Sequence, residues 1–292
     1  MGPQPLLVRV SGRQVAVEDA GPASGFPVIV HHGGTRHPFP GAVRDAQAHG
    51  LRLISYDRPG QGMSTPQPGR VVADCAEDVR AILTLLGISR AATWGSSVGG
   101  AYALATAALL PEAIASACVF APLAPCDAPG LDFTDGMSDG FREEIRVFAD
   151  DPGRARADFR TQAAEFAKLS SSPAWWMDRW GERAGTDAAH SQECADYLAL
   201  VNGDGYAAGD EGWWEDWSAS LLPWGFDVAS IQAPVALWHG LRDAAVPPAH
   251  SRWLAAHIPH ITPHFPAGQD HTDVEEDNRG AAIAWVRRHG RR

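Results

Sequence analysis

The chain has 292 residues, enough for one large domain or one domain carrying a substantial insertion. Hydrophobic residues make up 45% and charged residues 20%, which suits a globular protein and argues against disorder. The formal net charge of −11 disfavours nucleic acid or an anionic membrane surface as a partner. Met1–Val10 has no basic stretch leading into an apolar run, and no window holds about 18 uninterrupted apolar residues. Neither a secretory signal nor a membrane span is expected. Cys75, Cys118, Cys126 and Cys194 lack CxxC spacing, so zinc is disfavoured and free thiols in a reducing cytoplasm are expected.

Short apolar runs alternate with helical patterns, which predicts a mostly parallel sheet wrapped by helices. Leu6–Val10 and Gln14–Glu18 read as a β-hairpin turned at Ser11-Gly12. Pro27–His32 and Leu51–Tyr56 are near-continuous apolar runs, as strands buried on both faces require, with a helix over Phe39–His49 between them. Val71–Leu86 sets Val72, Cys75, Val79, Ile82, Leu83 and Leu86 at helical spacing. Ala91–Gly95 reads as strand, Val98–Leu110 as a small-residue helix, and Ala115–Phe120 as the next strand.

From about Leu123 to Phe226 the strand signal fades, helical stretches follow one another, and Trp175, Trp176, Trp180, Trp213, Trp214, Trp217 and Trp224 gather. The alternation resumes with a strand at Pro234–His239, a helix near Pro248–His257, a strand at Ile261–Phe265 and a helix at Glu275–Arg288. The expected organisation is an α/β core of residues 1–122 and 227–292 interrupted by a helical cap of residues 123–226.

Four segments carry chemistry. Gly95-Ser96-Ser97-Val98-Gly99 fits G-x-S-x-G with a strand before it and a helix after it, a sharp turn that pushes its central side chain into the open. Ser97 is therefore the candidate nucleophile. His31-His32-Gly33-Gly34-Thr35 follows the PVIV strand, and its glycines let backbone N–H groups approach a developing oxyanion. The Gly34 and Val98 amides are the expected donors. Neighbouring strand residues face opposite ways, so His31 and His32 are poorly placed to share a metal, and no metal is expected. Asp243, in Trp238–Pro247, sits just beyond a buried strand where a carboxylate can orient an imidazole. His271, in Gly268-Gln269-Asp270-His271, is the candidate general base. Asp270, Asp273 and Asp127 are rivals to Asp243 for the acid.

The order Ser97, Asp243, His271 resembles that of the α/β-hydrolase superfamily, and the likeness extends over nearly the whole chain. Asp57-Arg58-Pro59-Gly60-Gln61-Gly62-Met63-Ser64 is similar to the D-x-P-G-x-G-x-S turn after that superfamily's fourth strand, and WHG-x-x-D-x-x-VP to its acid loop. The resemblance implies a serine-nucleophile branch with a helical cap, esterase-like or proline iminopeptidase-like. Haloalkane dehalogenases and epoxide hydrolases carry aspartate where this chain has Ser97. Proline iminopeptidases typically read HGGPG and GGSWG, against HGGTR and WGSSV here.

A serine hydrolase acting on a small carboxylic ester or lactone, without organic cofactor, is the expected activity. The alternatives are an aminopeptidase of the proline iminopeptidase type, for which Glu143, Glu144, Asp210 and Glu211 could receive a substrate amine, and a lyase or ligand-binding member of the fold. Gly33, Trp175, Trp176, Trp213 and Trp214 are candidate substrate contacts for a small molecule with apolar or aromatic bulk. Packing inside a small helical lid explains the same tryptophans.

Overall fold

Ser11 and Gly12 both adopt positive φ, the backbone of a two-residue hairpin turn, and they join β1 (Leu6–Val10) to β2 (Arg13–Ala20). The computed structural model describes residues 5–33, 38–180, 188–206 and 209–290, without the side chains of 179–180, 188–191 and 204–206. From β2 the chain enters β3 (Phe26–His31), α1 (Pro40–Ala48), β4 (Leu51–Tyr56), a single 3-10 turn at Val72–Asp74 and α2 (Cys75–Leu85). Then come β5 (Ala91–Ser96), α3 (Val98–Leu109) and β6 (Ile114–Phe120). After a helical stretch follow β7 (Val235–Trp238), α9 (Pro248–His257), β8 (Ile261–His264) and α10 (Asp273–His289).

The eight strands form one sheet in the order β1-β2-β4-β3-β5-β6-β7-β8. β1–β2 and β2–β4 are antiparallel and every other pair is parallel. The side-chain period of two divides the core between the two faces. Ile29, Ile54, Tyr56 and Val119 pack with α2, α3 and α9, while Val28, Val30, Leu53, Trp94, Phe120 and Trp238 pack with α1 and α10. The apolar runs of β3, β6 and β7 are thus explained: both faces are covered.

Between β6 and β7 lie α4 (Asp139–Asp150), α5 (Pro152–Ser170), α6 (Pro173–Trp180), α7 (Ala188–Tyr206) and α8 (Glu211–Ser220). Ser138 and Asp151 cap α4 and α5 by accepting from the Phe141 and Arg154 amides. Inside this insertion Trp214 packs with Phe148, Phe159 and Trp217, and Trp175 and Trp176 pack with Phe166.

The chain leaves β3 toward β4 on one side and later returns to place β5 on the other. Such a reversal opens a crevice at the carboxyl ends of the two strands. His32 and Gly33 after β3 and the turn at Ser97 after β5 meet there.

Candidate active site

Ser97 is the residue between β5 and α3, with φ 54° and ψ −127°. A non-glycine residue held there is strained, and the strain is supported by its surroundings. The Ser97 amide donates to the Phe120 carbonyl at 2.8 Å, tying the turn to β6. A Cβ on Gly95 would overlap the Gly99 carbonyl, and one on Gly99 would overlap the His31 carbonyl. Only glycine lets helix, turn and neighbouring strand come this close. Val98 opens α3, so its N–H precedes the first intrahelical acceptor and stands at the positive end of the helix dipole.

The ends of β6, β7 and β8 are in step: Phe120 pairs with Trp238, and Trp238 with His264. Their following loops are zipped together. Leu241 N donates to Pro266 O and Arg242 N to Gln269 O, each at 3.0 Å, and a Cβ on Gly240 would overlap the Gln269 carbonyl. This juxtaposition brings Asp243 and His271 to one place. His271 Nδ1 lies 2.7 Å from Asp243 Oδ2, and His271 Nε2 lies 3.1 Å from Ser97 Oγ. Of the three predicted residues, Asp243 is buried at 0% side-chain exposure while His271 retains 24%.

Asp243 is saturated with donors. Oδ1 accepts from the Ala245 and Val246 amides at 2.9 and 2.8 Å, and Oδ2 is also 3.2 Å from His239 Nε2. Burial by itself would raise this carboxyl, but hydrogen bonds from His239 and His271 outweigh it and hold the group well below the usual carboxylate range. His239 was not singled out in the sequence, although it stands inside the WHG-x-x-D segment. Its Nε2 is 2.8 Å from the Val246 carbonyl, which only accepts, so Nε2 carries the proton and Nδ1 faces the Ser251 hydroxyl at 2.6 Å. Asp270 plays a different part: its Oδ1 accepts from the Thr272 and Asp273 amides at the start of α10.

Gly33 lies against Ser97, since a Cβ there would stand 3.4 Å from Ser97 Cβ. Gly34, the other expected donor, lies outside the described residues. His31 is spoken for by structure, with Nδ1 3.2 Å from the Tyr56 hydroxyl and Nε2 3.1 Å from Thr106 Oγ1. Trp175 meets Trp176 edge to face and Trp214 packs on Trp217, both pairs within the insertion, and Trp213 is half-buried on α8. Glu143 pairs with Arg146, and Asp210 and Glu211 pair with Arg156, which leaves less free negative charge for a substrate amine.

A groove of about 770 Å³ lies between β8 and α10, lined by Trp238, His264 and Trp285 among others. None of its lining residues belongs to the hydrogen-bonded series from Ser97 to Asp243. Among the described residues no three His, Cys, Asp or Glu side chains gather as metal ligands would, and no helix is long and apolar enough to cross a membrane.

A parallel-centred sheet, a strained serine between strand and helix, and a histidine and aspartate on the last two strand-end loops define the class. The chain belongs to the alpha/beta hydrolase fold family, whose model matches residues 27–278. It is 29% identical over 256 residues to a non-heme chloroperoxidase of Streptomyces lividans, covering 85% of each chain. It is 26% identical over 300 residues to a bifunctional esterase/perhydrolase of Acinetobacter calcoaceticus, covering 94% of this chain and 97% of that one. A thermophilic esterase from Thermogutta terrifontis has the same fold, with a TM-score of 0.64 at 21% identity over 99% of this chain and 100% of its own.

Proposed function

We propose that the protein is a serine hydrolase that cleaves a small carboxylic ester or lactone through an acyl-enzyme. The observation that carries this reading is the unbroken series Ser97 Oγ, His271 Nε2, His271 Nδ1, Asp243 Oδ2, with links of 3.1 and 2.7 Å. His271 takes the Ser97 proton as Oγ attacks the carbonyl carbon, and Asp243 holds the ring in the tautomer that presents Nε2 as acceptor. The tetrahedral oxyanion is received by the Val98 and Gly34 amides, each worth about 3–4 kcal/mol in comparable sites. His271 then gives its proton to the leaving oxygen. Water, deprotonated by the same ring, attacks the acyl-serine and frees the acid. No organic cofactor or metal enters these steps.

Residues 123–226 serve as a lid in this reading, and the aromatic clusters around Trp175, Trp176, Trp213 and Trp214 favour substrates with apolar bulk. A second reading is supported by the relative named esterase/perhydrolase. Hydrogen peroxide in place of water would attack the same acyl-serine and leave with the acyl group as a peracid.

The test is turnover of a panel of short-chain nitrophenyl esters and simple lactones by wild type and Ser97→Ala. Turnover by wild type with loss of at least about 10³-fold in the variant is expected, since the nucleophile is removed. Equal rates would place the chemistry elsewhere.

A further inference from the structure

Arg58, in the turn after β4, is 1% exposed and lies beneath the loop that reaches Ser97. Its Nη1 donates to the His32 carbonyl at 2.7 Å and its Nη2 approaches the Gly33 carbonyl at 3.4 Å. Its Nε donates to Asp216 Oδ2 at 2.8 Å. Asp216 belongs to α8, within the insertion, so one guanidinium spans core loop and insertion. The site is built on both sides. Gln61 Nε2 donates to the same carboxylate oxygen at 2.6 Å, and Arg70 pairs with Oδ1 while donating to the Tyr102 hydroxyl at 2.7 Å.

The contact is shaped as well as charged. Gly60, at φ +82°, faces Gly212 so closely that a Cβ on either would meet the other's backbone. Glu215 accepts from the Gly69 amide at 2.9 Å beside it. The first turns of α8 therefore sit directly on the segment from Arg58 to Arg70. Two buried arginines, Arg58 and Arg70, share one buried aspartate, Asp216.

We propose that Arg58 is a positioning residue for the reaction: it holds the His32–Gly33 backbone against Ser97, and Asp216 of the insertion holds Arg58 in turn. Docking of α8 then sets the geometry of the loop expected to receive the oxyanion, and the insertion takes part in catalysis without touching the reacting atoms. The proposal rests on the serine-hydrolase reading above. Lysine cannot replace Arg58 here, because a single ammonium cannot reach Asp216 and two carbonyls in the fixed directions of the guanidinium fork.

The test compares wild type, Arg58→Lys, Arg58→Met and Asp216→Asn. The control is Arg13→Met, which breaks the Arg13–Asp78 ion pair (2.8 Å) between β2 and α2. Three readouts are taken: kcat and KM on a nitrophenyl ester, thermal midpoint, and amide hydrogen exchange of the peptide carrying His32 and Gly33. Both Arg58 variants should lose about 10- to 100-fold in kcat, as small misplacements at a reacting centre do, with KM within about threefold. Asp216→Asn should lose less, and exchange at His32 and Gly33 should speed up in all three. Arg13→Met should lower the midpoint while leaving kcat and that exchange unchanged. The proposal is overturned if kcat and local exchange in Asp216→Asn and Arg58→Lys match wild type, or if Arg13→Met reproduces their losses. A wild type that turns over no ester would end the hydrolase reading, while the exchange comparison would still decide whether Arg58 and Asp216 fix the loop.

Discussion

His239 Nε2 lies 3.2 Å from Asp243 Oδ2, the same oxygen that receives His271 Nδ1. Two imidazoles therefore share one buried carboxylate, one open to the cleft and one wholly enclosed. The one N–H of the enclosed ring stands between the Val246 carbonyl and Asp243 Oδ2, and it helps hold Asp243 low beside the bond from His271. Replacing His239 with Phe should remove that donor, strengthen the Asp243–His271 bond and move the acid limb of the activity profile to higher pH. It should also leave the Ser251 hydroxyl and Val246 carbonyl without this partner, costing about 1–3 kcal/mol of stability. A pH profile of kcat/KM and a urea titration check both, and an acid limb that stays put or moves down would contradict the assignment.

Asp243→Asn should keep the fold but present His271 in the wrong tautomer, lowering kcat by about 10⁴-fold. Asp270→Ala, by contrast, removes the acceptor of the Thr272 and Asp273 amides at the start of α10 and should cost about 1 kcal/mol of stability with little loss of kcat. Steady-state kinetics on the pair separates the two aspartates, which lie on different loops but at similar sequence distance from any strand end.

Much of this was legible in the sequence, and the reasons are physical. Strands β3, β4 and β6 announce themselves because burial on both faces demands unbroken apolar runs. The turn at Ser97 does so because the crossing of strand and helix demands Gly95 and Gly99. The choice of Asp243 over Asp270 could be argued because sequence neighbours of His271 on one loop rarely reach its ring, but the contact itself depends on two loops zipped by Gly240 and Gln269. Arg58 and Asp216 were beyond reach, since the tie between them crosses 158 positions and follows from how α8 docks. Ala121, buried with φ 43° after β6, also carried no signal, because alanine is not a residue that advertises a left-handed backbone.

Acid should destabilise the protein before its carboxylates titrate. Burial lowers His250 from 6.5 to about 4 and His31 from 6.5 to about 3. His250 Nδ1 accepts from the Ala124 amide at 3.1 Å and Nε2 donates to the Phe133 carbonyl at 2.9 Å, so a second ring proton would face an N–H. Between pH 6.5 and about 4 the unfolded chain binds protons that the folded chain refuses. Stability is thus complete above that window and falls as pH drops through it, by up to about 1.4 kcal/mol per pH unit for each ring. Urea unfolding at several pH values should show this slope, and His250→Gln should flatten it. An unchanged slope in the variant would remove His250 from the explanation.

Trp214 is a packing residue in the first instance, held by Phe148, Phe159, Trp217 and the Arg156 guanidinium 5.3 Å above its ring. Trp214→Ala should cost about 2 kcal/mol, below the ~3–5 of a fully buried aromatic, because the side chain is half-buried. Thermal melting tests this. A raised KM with no change in the midpoint would instead make Trp214 a substrate contact.

The most direct test is covalent. Purified wild type and Ser97→Ala are incubated with a fluorophosphonate, and the intact masses and the labelled peptide are measured. An activated Ser97 should give one adduct on wild type, mapped to Ser97, and none on the variant. A folded wild type that takes no label, or a variant that takes it equally, would contradict a nucleophilic role for Ser97.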